Sequence, residues 1–138
     1  DKVATVASII AKDKKIRKLV HAFQVECAYN PPKKYDGSCL DGRDCGSVVV
    51  KDANIKFYIT ASLKVRANRR YKELNAKNKK ITYKEVLKSI RKRDKSDKNR
   101  EISPLKKTKD MVLLNSSSES ISSCFMKIKK IIDRKINS

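Results

Sequence analysis

Two short stretches of this 138-residue chain carry side chains whose types and spacing suit work on a phosphorylated ligand. The first is Asp41-Gly42-Arg43-Asp44, which follows Ser38-Cys39-Leu40, a run that reads as a weak strand. In an open α/β sheet, ligands bind at the carboxyl ends of strands. An arginine there can fix a phosphate, and the neighbouring carboxylate can read a hydrogen-bonding edge. The same residues, with glycines at 42 and 46, also suit a plain turn. The second stretch runs from Arg93 to Arg100 (RDKSDKNR). Arg93, Asp97 and Arg100 stand at i, i+4 and i+7, so a helix puts all three on one face. The plain reading is a solvated, self-paired helix surface. The functional reading is a mobile arginine-bearing segment that closes over phosphates and stabilises charge on a transferring phosphoryl group.

The elements that must hold these residues follow from pattern. Val3 to Ala11 (VATVASIIA) is apolar with small residues and reads as a closely packed helix. Asp13 is an N-cap for a second helix, from Lys14 to about Tyr29, with Ile16, Leu19, Val20, Phe23 and Cys27 on an inward face. Asn30-Pro31-Pro32 ends it. Ile55 to Ala61 (IKFYITA) is the best strand. Ser62 caps a helix to about Asn78, with Val65, Ala67 and Leu74 inward. Thr82 and Glu85 form a capping box opening a helix that continues to about Lys98. Pro104-Leu105 marks a break. Asp110 to Asn115 (DMVLLN) reads as a buried-type strand. Ser116 to Ser120 is a serine-rich turn, and Ile121 to Ile132 is a closing helix with Ile121, Phe125, Ile128 and Ile132 inward.

Strands alternating with helices predict a parallel α/β sheet flanked by helices. Three strands can be counted, fewer than a parallel sheet buried on both faces usually has. The expected class is therefore the later part of an α/β domain whose opening strands lie outside residues 1–138. The chain opens on Asp1 rather than Met, and a longer product is expected.

Composition bounds the rest. There are 35 Lys+Arg against 15 Asp+Glu, a formal net charge of +20, and 39% of residues are apolar. That apolar share is low for a free-standing globular domain but above the range of disordered chains. No apolar run approaches the roughly 20 residues of a membrane span, and no signal-peptide pattern opens the chain. Cys27, Cys39, Cys45 and Cys124, with His21 as the one histidine, lack the spacing of a structural zinc site. Reduced, packed thiols in a cytoplasmic protein are expected. Of the 35 basic residues 26 are Lys, a count that AT-rich codon bias explains as well as a basic binding surface does.

In order along the chain, four motifs resemble the bacterial cytidylate kinases. They are VASIIAKDKKIR (Val6 to Arg17, with Ser and Arg nine apart), DGRDCGS (Asp41 to Ser47), IKFYITAS with RRYKEL (Ile55 to Ser62 and Arg69 to Leu74), and RDKSDKNREISPL (Arg93 to Leu105). The last has the spacing R-D-x-x-D-x-x-R-x-x-x-P-L. The resemblance runs from about Val3 to Ile132.

The resemblance implies a P-loop nucleoside monophosphate kinase-like fold. Residues 1–36 would be the remaining part of the monophosphate-binding region, and residues 37–138 a core α/β domain with a lid at about 79–104. It implies transfer of the γ-phosphoryl group of ATP, with Mg²⁺, to CMP or dCMP, as part of pyrimidine metabolism. Ser8, Arg17 and Asp44 would face the cytosine ring. Arg43 and Arg100 would hold the CMP phosphate, and Asp97 with Arg93 would meet the sugar hydroxyls. Arg93, Arg100 and Arg43 would neutralise charge during transfer, and Arg69 would lie near the ATP adenine. The physics suits cytosine, whose O2 and N3 accept hydrogen bonds while its N4 amine donates. Uracil would set a carbonyl oxygen against Asp44. A monomer with no membrane and no specific nucleic-acid partner is implied.

The chain also departs from the family. Its members open with a glycine-rich P-loop that cradles the ATP phosphates, and glycine occurs here only at 37, 42 and 46, in no such pattern. The loop from Asn30 to Gly37 is longer than usual, Cys45 replaces a more typical apolar residue, and Asn115 stands where Asp is common. Residues 1–138 alone are expected to fold poorly and to lack kinase activity. Two other readings stay open. One is a CMP-binding relative without kinase activity. The other is a basic nucleic-acid-binding protein, supported by the charge and by lysine clusters at 77–80 and 106–109. Against the latter, only 6% of residues are aromatic, which leaves little for base stacking.

Overall fold

The computed structural model describes Val6, Ile10, residues 13–77 and residues 79–137. The expected helix from Val3 to Ala11 lies outside the described residues, apart from Val6 and Ile10, which are helical and exposed. The chain divides into two compact units, residues 1–53 with 97–106 and residues 54–96 with 107–138.

In the first unit, helix α1 (Lys14–Tyr29) starts where the sequence places it. A carboxylate oxygen of Asp13 accepts from the backbone N–H groups of Lys15 at 2.8 Å and Ile16 at 3.0 Å, satisfying donors with no intrahelical partner. The N–H of Asn30 closes the last turn on the Glu26 carbonyl at 2.9 Å, and Pro31 cannot extend it. The Ser38 hydroxyl donates to the Cys27 carbonyl at 2.7 Å and ties the following loop back to the helix.

Ser38 to Leu40 form no strand. The chain instead passes into a five-residue π-helical turn, Cys45–Val49. In it the Asp44 carbonyl receives N–H groups from Ser47, Val48 and Val49, at 3.2, 2.8 and 3.2 Å. Such turns are rare and concentrate at functional sites. Gly42 permits the close return of the chain, because a β-carbon there would stand 2.6 Å from the Cys45 sulfur.

In the second unit, β1 (Phe57–Thr60) and β2 (Val112–Asn115) pair in parallel, with Phe57 opposite Val112 and Thr60 opposite Asn115. The parallel direction agrees with the sequence. Two strands form the sheet among the described residues, rather than three. Helix α2 (Leu63–Ala76) is capped by the Ser62 hydroxyl, which accepts from Val65 N–H at 3.3 Å. Helix α3 (Tyr83–Asn99) opens on the expected box. Glu85 accepts from Thr82 N–H at 2.8 Å, and the Thr82 hydroxyl accepts from Glu85 N–H at 3.3 Å. Helix α4 (Ile121–Ile136) is capped by Ser120. The core gathers Ala67, Leu74 and Val86, with Tyr71, Ile81, Leu87 and Ile90 against them. Tyr71 and Tyr83 meet edge to face at 6.0 Å.

Several expected burials are corrected. No residue of α1 is buried: its apolar face is exposed, Leu19 to 74% and Phe23 to 68%. On β2, Val112 and Leu113 are exposed rather than enclosed, and on α4 so are Ile121 and Phe125. A 3.6-residue repeat fixes which face of a helix is apolar but not what covers it. A sheet of two strands leaves faces open that a wider parallel sheet would bury. The four thiols are free, with Cys27 and Cys39 exposed rather than packed and Cys45 and Cys124 half-buried.

Candidate functional site

The first unit brings four of the anticipated residues into two ion pairs. Arg17, on the second turn of α1, donates from Nη2 to Oδ2 of Asp44 at 2.5 Å. Both side chains are largely withdrawn from solvent, at 19% and 10% exposure, which strengthens their attraction relative to a surface pair. Arg43 donates from Nε to Oδ2 of Asp97 at 3.0 Å. The Asp44 and Asp97 residues are buried. Buried carboxylates of this kind need charged or hydrogen-bonding partners to offset their lost hydration. The Asp97 backbone is held as well, its carbonyl accepting from Leu105 N–H at 2.8 Å.

The local backbone explains the placement. Asp44 sits at the head of the π-helical turn, and its carbonyl is gripped by three N–H groups. Its carboxylate is thereby presented from a fixed backbone. Arg43 precedes it in the loop admitted by Gly42. Arg100 follows α3 and donates from Nε to the Ser103 carbonyl at 2.5 Å. Ser103 has φ 52°, the left-handed region, and stands before Pro104. Non-glycine residues are uncommon there, and the arginine bond holds the carbonyl of this strained turn.

The other anticipated residues are Ser8, Arg93 and Arg69. Ser8 lies outside the described residues. Arg93 is on α3, one turn before Asp97, with its side chain exposed. Arg69, on α2, donates to the Ser116 hydroxyl at 3.2 Å and to the carbonyls of Ser116 and Glu119 at 2.6 and 3.1 Å, clamping the turn after β2.

Sequence reasoning missed several contacts. Cys45 packs beside Asp44, and its thiol pKa is pushed up by burial, with the Asp44 and Asp41 carboxylates adding to the rise. Tyr29 donates its hydroxyl to Asp52, which holds the phenol pKa up. In the second unit Lys56, buried, donates to Asp110 at 2.5 Å, and this bond with that of Thr108 draws the Asp110 pKa down to about 2. Arg66 forms a two-bond fork with Asp94. No spacing rule reaches partners 28 or 54 residues apart; charge and hydropathy mark such residues only as polar.

A family profile described as cytidylate kinase matches residues 1–134. The chain belongs to the cytidylate kinase family. Relatives named cytidylate kinase include one from Clostridium botulinum (strain Langeland), 47% identical over 115 residues, which cover 83% of this chain and 52% of the relative. One from Clostridium tetani is 40% identical over 134 residues, 97% of this chain and 57% of the relative. One from Thermosipho melanesiensis is 38% identical over 133 residues, 96% and 59%. The chain thus spans a little over half the length of these curated relatives. Family membership disfavours the nucleic-acid reading. Among the described residues, no helix is long and apolar enough to cross a membrane.

Proposed function

We propose that the protein transfers the γ-phosphoryl group of ATP to CMP or dCMP, giving the diphosphate, and that residues 1–138 supply its CMP-binding side. The observation that carries this reading is the Arg17–Asp44 pair, held off the π-helical turn beside Arg43. A carboxylate there accepts from the N4 amine of cytosine, while the guanidinium donates to O2 or N3. Ser8 adds a hydroxyl on the same ring edge. Asp44 has two carboxylate oxygens, enough to keep Arg17 and take the amine together. Uracil turns a carbonyl oxygen toward that carboxylate, and two acceptors repel.

Arg43 and Arg100 hold the CMP phosphate, and Asp97 with Arg93 meets the sugar hydroxyls. Arg100 spends Nε on Ser103 and keeps its terminal N–H groups for a phosphate. Transfer needs no side-chain nucleophile, because a CMP phosphate oxygen attacks. The work of Arg43, Arg93 and Arg100 is positioning and charge neutralisation. Residues at about 79–104 form the lid that excludes water, residues 1–36 belong to the monophosphate-binding region and 37–138 to the core domain. Arg69 lies near the adenine of ATP.

ATP with Mg²⁺ supplies the phosphoryl group. Residues 1–138 do not fit a triphosphate cradle, since their three glycines, at 37, 42 and 46, are not in the required pattern. This stretch therefore binds CMP without phosphorylating it. A monomeric cytoplasmic enzyme of pyrimidine metabolism is the setting this reading implies.

Thermal unfolding in moderate salt tests it. CMP raises the melting temperature, UMP raises it far less, and a short oligonucleotide has a small effect that added salt removes. Strong protection by the oligonucleotide with none by CMP would overturn the reading in favour of a nucleic-acid-binding protein.

A further inference from the structure

The apolar anchorage of α3 stops part-way along the helix. Val86, Leu87 and Ile90 pack with Ala67 and Leu74, but every residue from Arg91 to Asn99 is polar or charged. Arg93 therefore stands beyond the reach of the core. One turn past Ile90, Arg66 of α2 grips the helix through Asp94. Its Nη1 donates to Oδ1 at 2.8 Å and its Nη2 to Oδ2 at 2.7 Å, a fork onto both carboxylate oxygens. The third bond runs from Arg66 Nε to the carbonyl of Ala61 at 2.9 Å, and Ala61 is buried just after β1. One guanidinium thus ties the polar half of α3 to the end of a strand.

We propose that Arg66 is a positioning residue for Arg93, setting the height and rotation of α3 at Asp94 and so where its neighbour Arg93 stands. The inference rests on the proposed role of Arg93 at CMP. A planar fork resists rotation of the helix about its own axis, which a single bond does not. Asp94 holds the Arg66 pKa up, chiefly through these hydrogen bonds.

A double-mutant cycle on CMP affinity tests this, with titration calorimetry on the whole protein. Arg93→Ala is expected to weaken CMP about tenfold, and Arg66→Ala and Asp94→Asn nearly as much. The Arg66→Ala/Arg93→Ala double variant should be no weaker than Arg93→Ala alone. Arg66→Lys, which keeps the charge and loses the fork, should fall between wild type and Arg66→Ala, and it serves if the alanine variant fails to fold. Losses that add in the double variant would overturn the inference in favour of a general structural role. So would an Arg66→Ala protein that binds CMP as wild type does while Arg93→Ala is weakened. If wild type itself does not bind CMP, the proposed function fails, and the inference falls with it.

Discussion

Arg17 and Asp44, 27 residues apart in the chain, meet through one charge-assisted bond of 2.5 Å between Nη2 and Oδ2. The arginine comes from the second turn of α1 and the aspartate from the head of the π-helical turn. Each helps to offset the other's loss of water. Removing one therefore withdraws part of a charge's compensation, whereas removing both does not.

Asp44→Ala is expected to lower the unfolding free energy by about 3 kcal/mol, because the half-buried Arg17 guanidinium loses its carboxylate partner at 2.5 Å. The Arg17→Met/Asp44→Leu double variant should recover most of that loss. Urea unfolding measures both. Neither protein should bind CMP, which separates the stability of the pair from its use.

Much of the local architecture was legible before any coordinates. Asp13 as a cap, Pro31 as a stop and the Thr82–Glu85 box act within one helical turn, and each is realised. The parallel direction of β1 and β2 followed from the helices between them. The π-helical turn at Cys45–Val49 was not legible. It depends on three N–H groups converging on the Asp44 carbonyl, a backbone geometry that CGSVV does not announce. The exposed apolar face of α1 was misjudged as buried, since periodicity names a face and not its cover. Arg43, Asp44 and Asp97 stood out by residue type and spacing and Arg17 by the family resemblance, but nothing in the sequence paired Arg17 with Asp44 or Arg43 with Asp97. Arg66 and Asp94 lie on different helices, and nothing local pairs them.

Thr82→Ala removes the hydroxyl that accepts from Glu85 N–H. The expected cost is about 1 kcal/mol in chemical unfolding. Fraying should be confined to the first turn of α3, where hydrogen exchange at Glu85 should rise. Unchanged exchange at that amide would mean that the box does not hold the helix start.

The Lys56–Asp110 pair gives a pH signature. The Asp110 pKa falls from 3.8 to about 2, so its carboxylate is favoured in the folded state. Stability from this pair is full above pH ~4 and is lost as pH falls toward 2. Asp110→Asn should therefore be less stable than wild type at pH 6, with the gap narrowing between pH 4 and 2. Unfolding curves at stepped pH measure the gap, and a constant gap would contradict the pairing.

The cysteines should differ in reactivity. Cys27 and Cys39 are exposed, whereas burial and two nearby carboxylates push the Cys45 thiol up. Since the thiolate is the nucleophile, iodoacetamide at pH 8 should label Cys27 and Cys39 before Cys45. Peptide mass spectrometry at timed quench points reads the order. If CMP sits against Asp44 as proposed, it should slow labelling at Cys45 further and leave Cys27 unchanged.

The most direct test of the role proposed for the Arg17–Asp44 pair in reading cytosine is the ratio of dissociation constants for CMP and UMP, measured by calorimetry on the wild-type protein. The two ligands differ at the exocyclic group facing Asp44 and at the protonation of N3, while their phosphates and sugars are the same. The account predicts that CMP binds at least about a hundredfold tighter than UMP. Equal affinities, or no measurable binding of CMP, would contradict it.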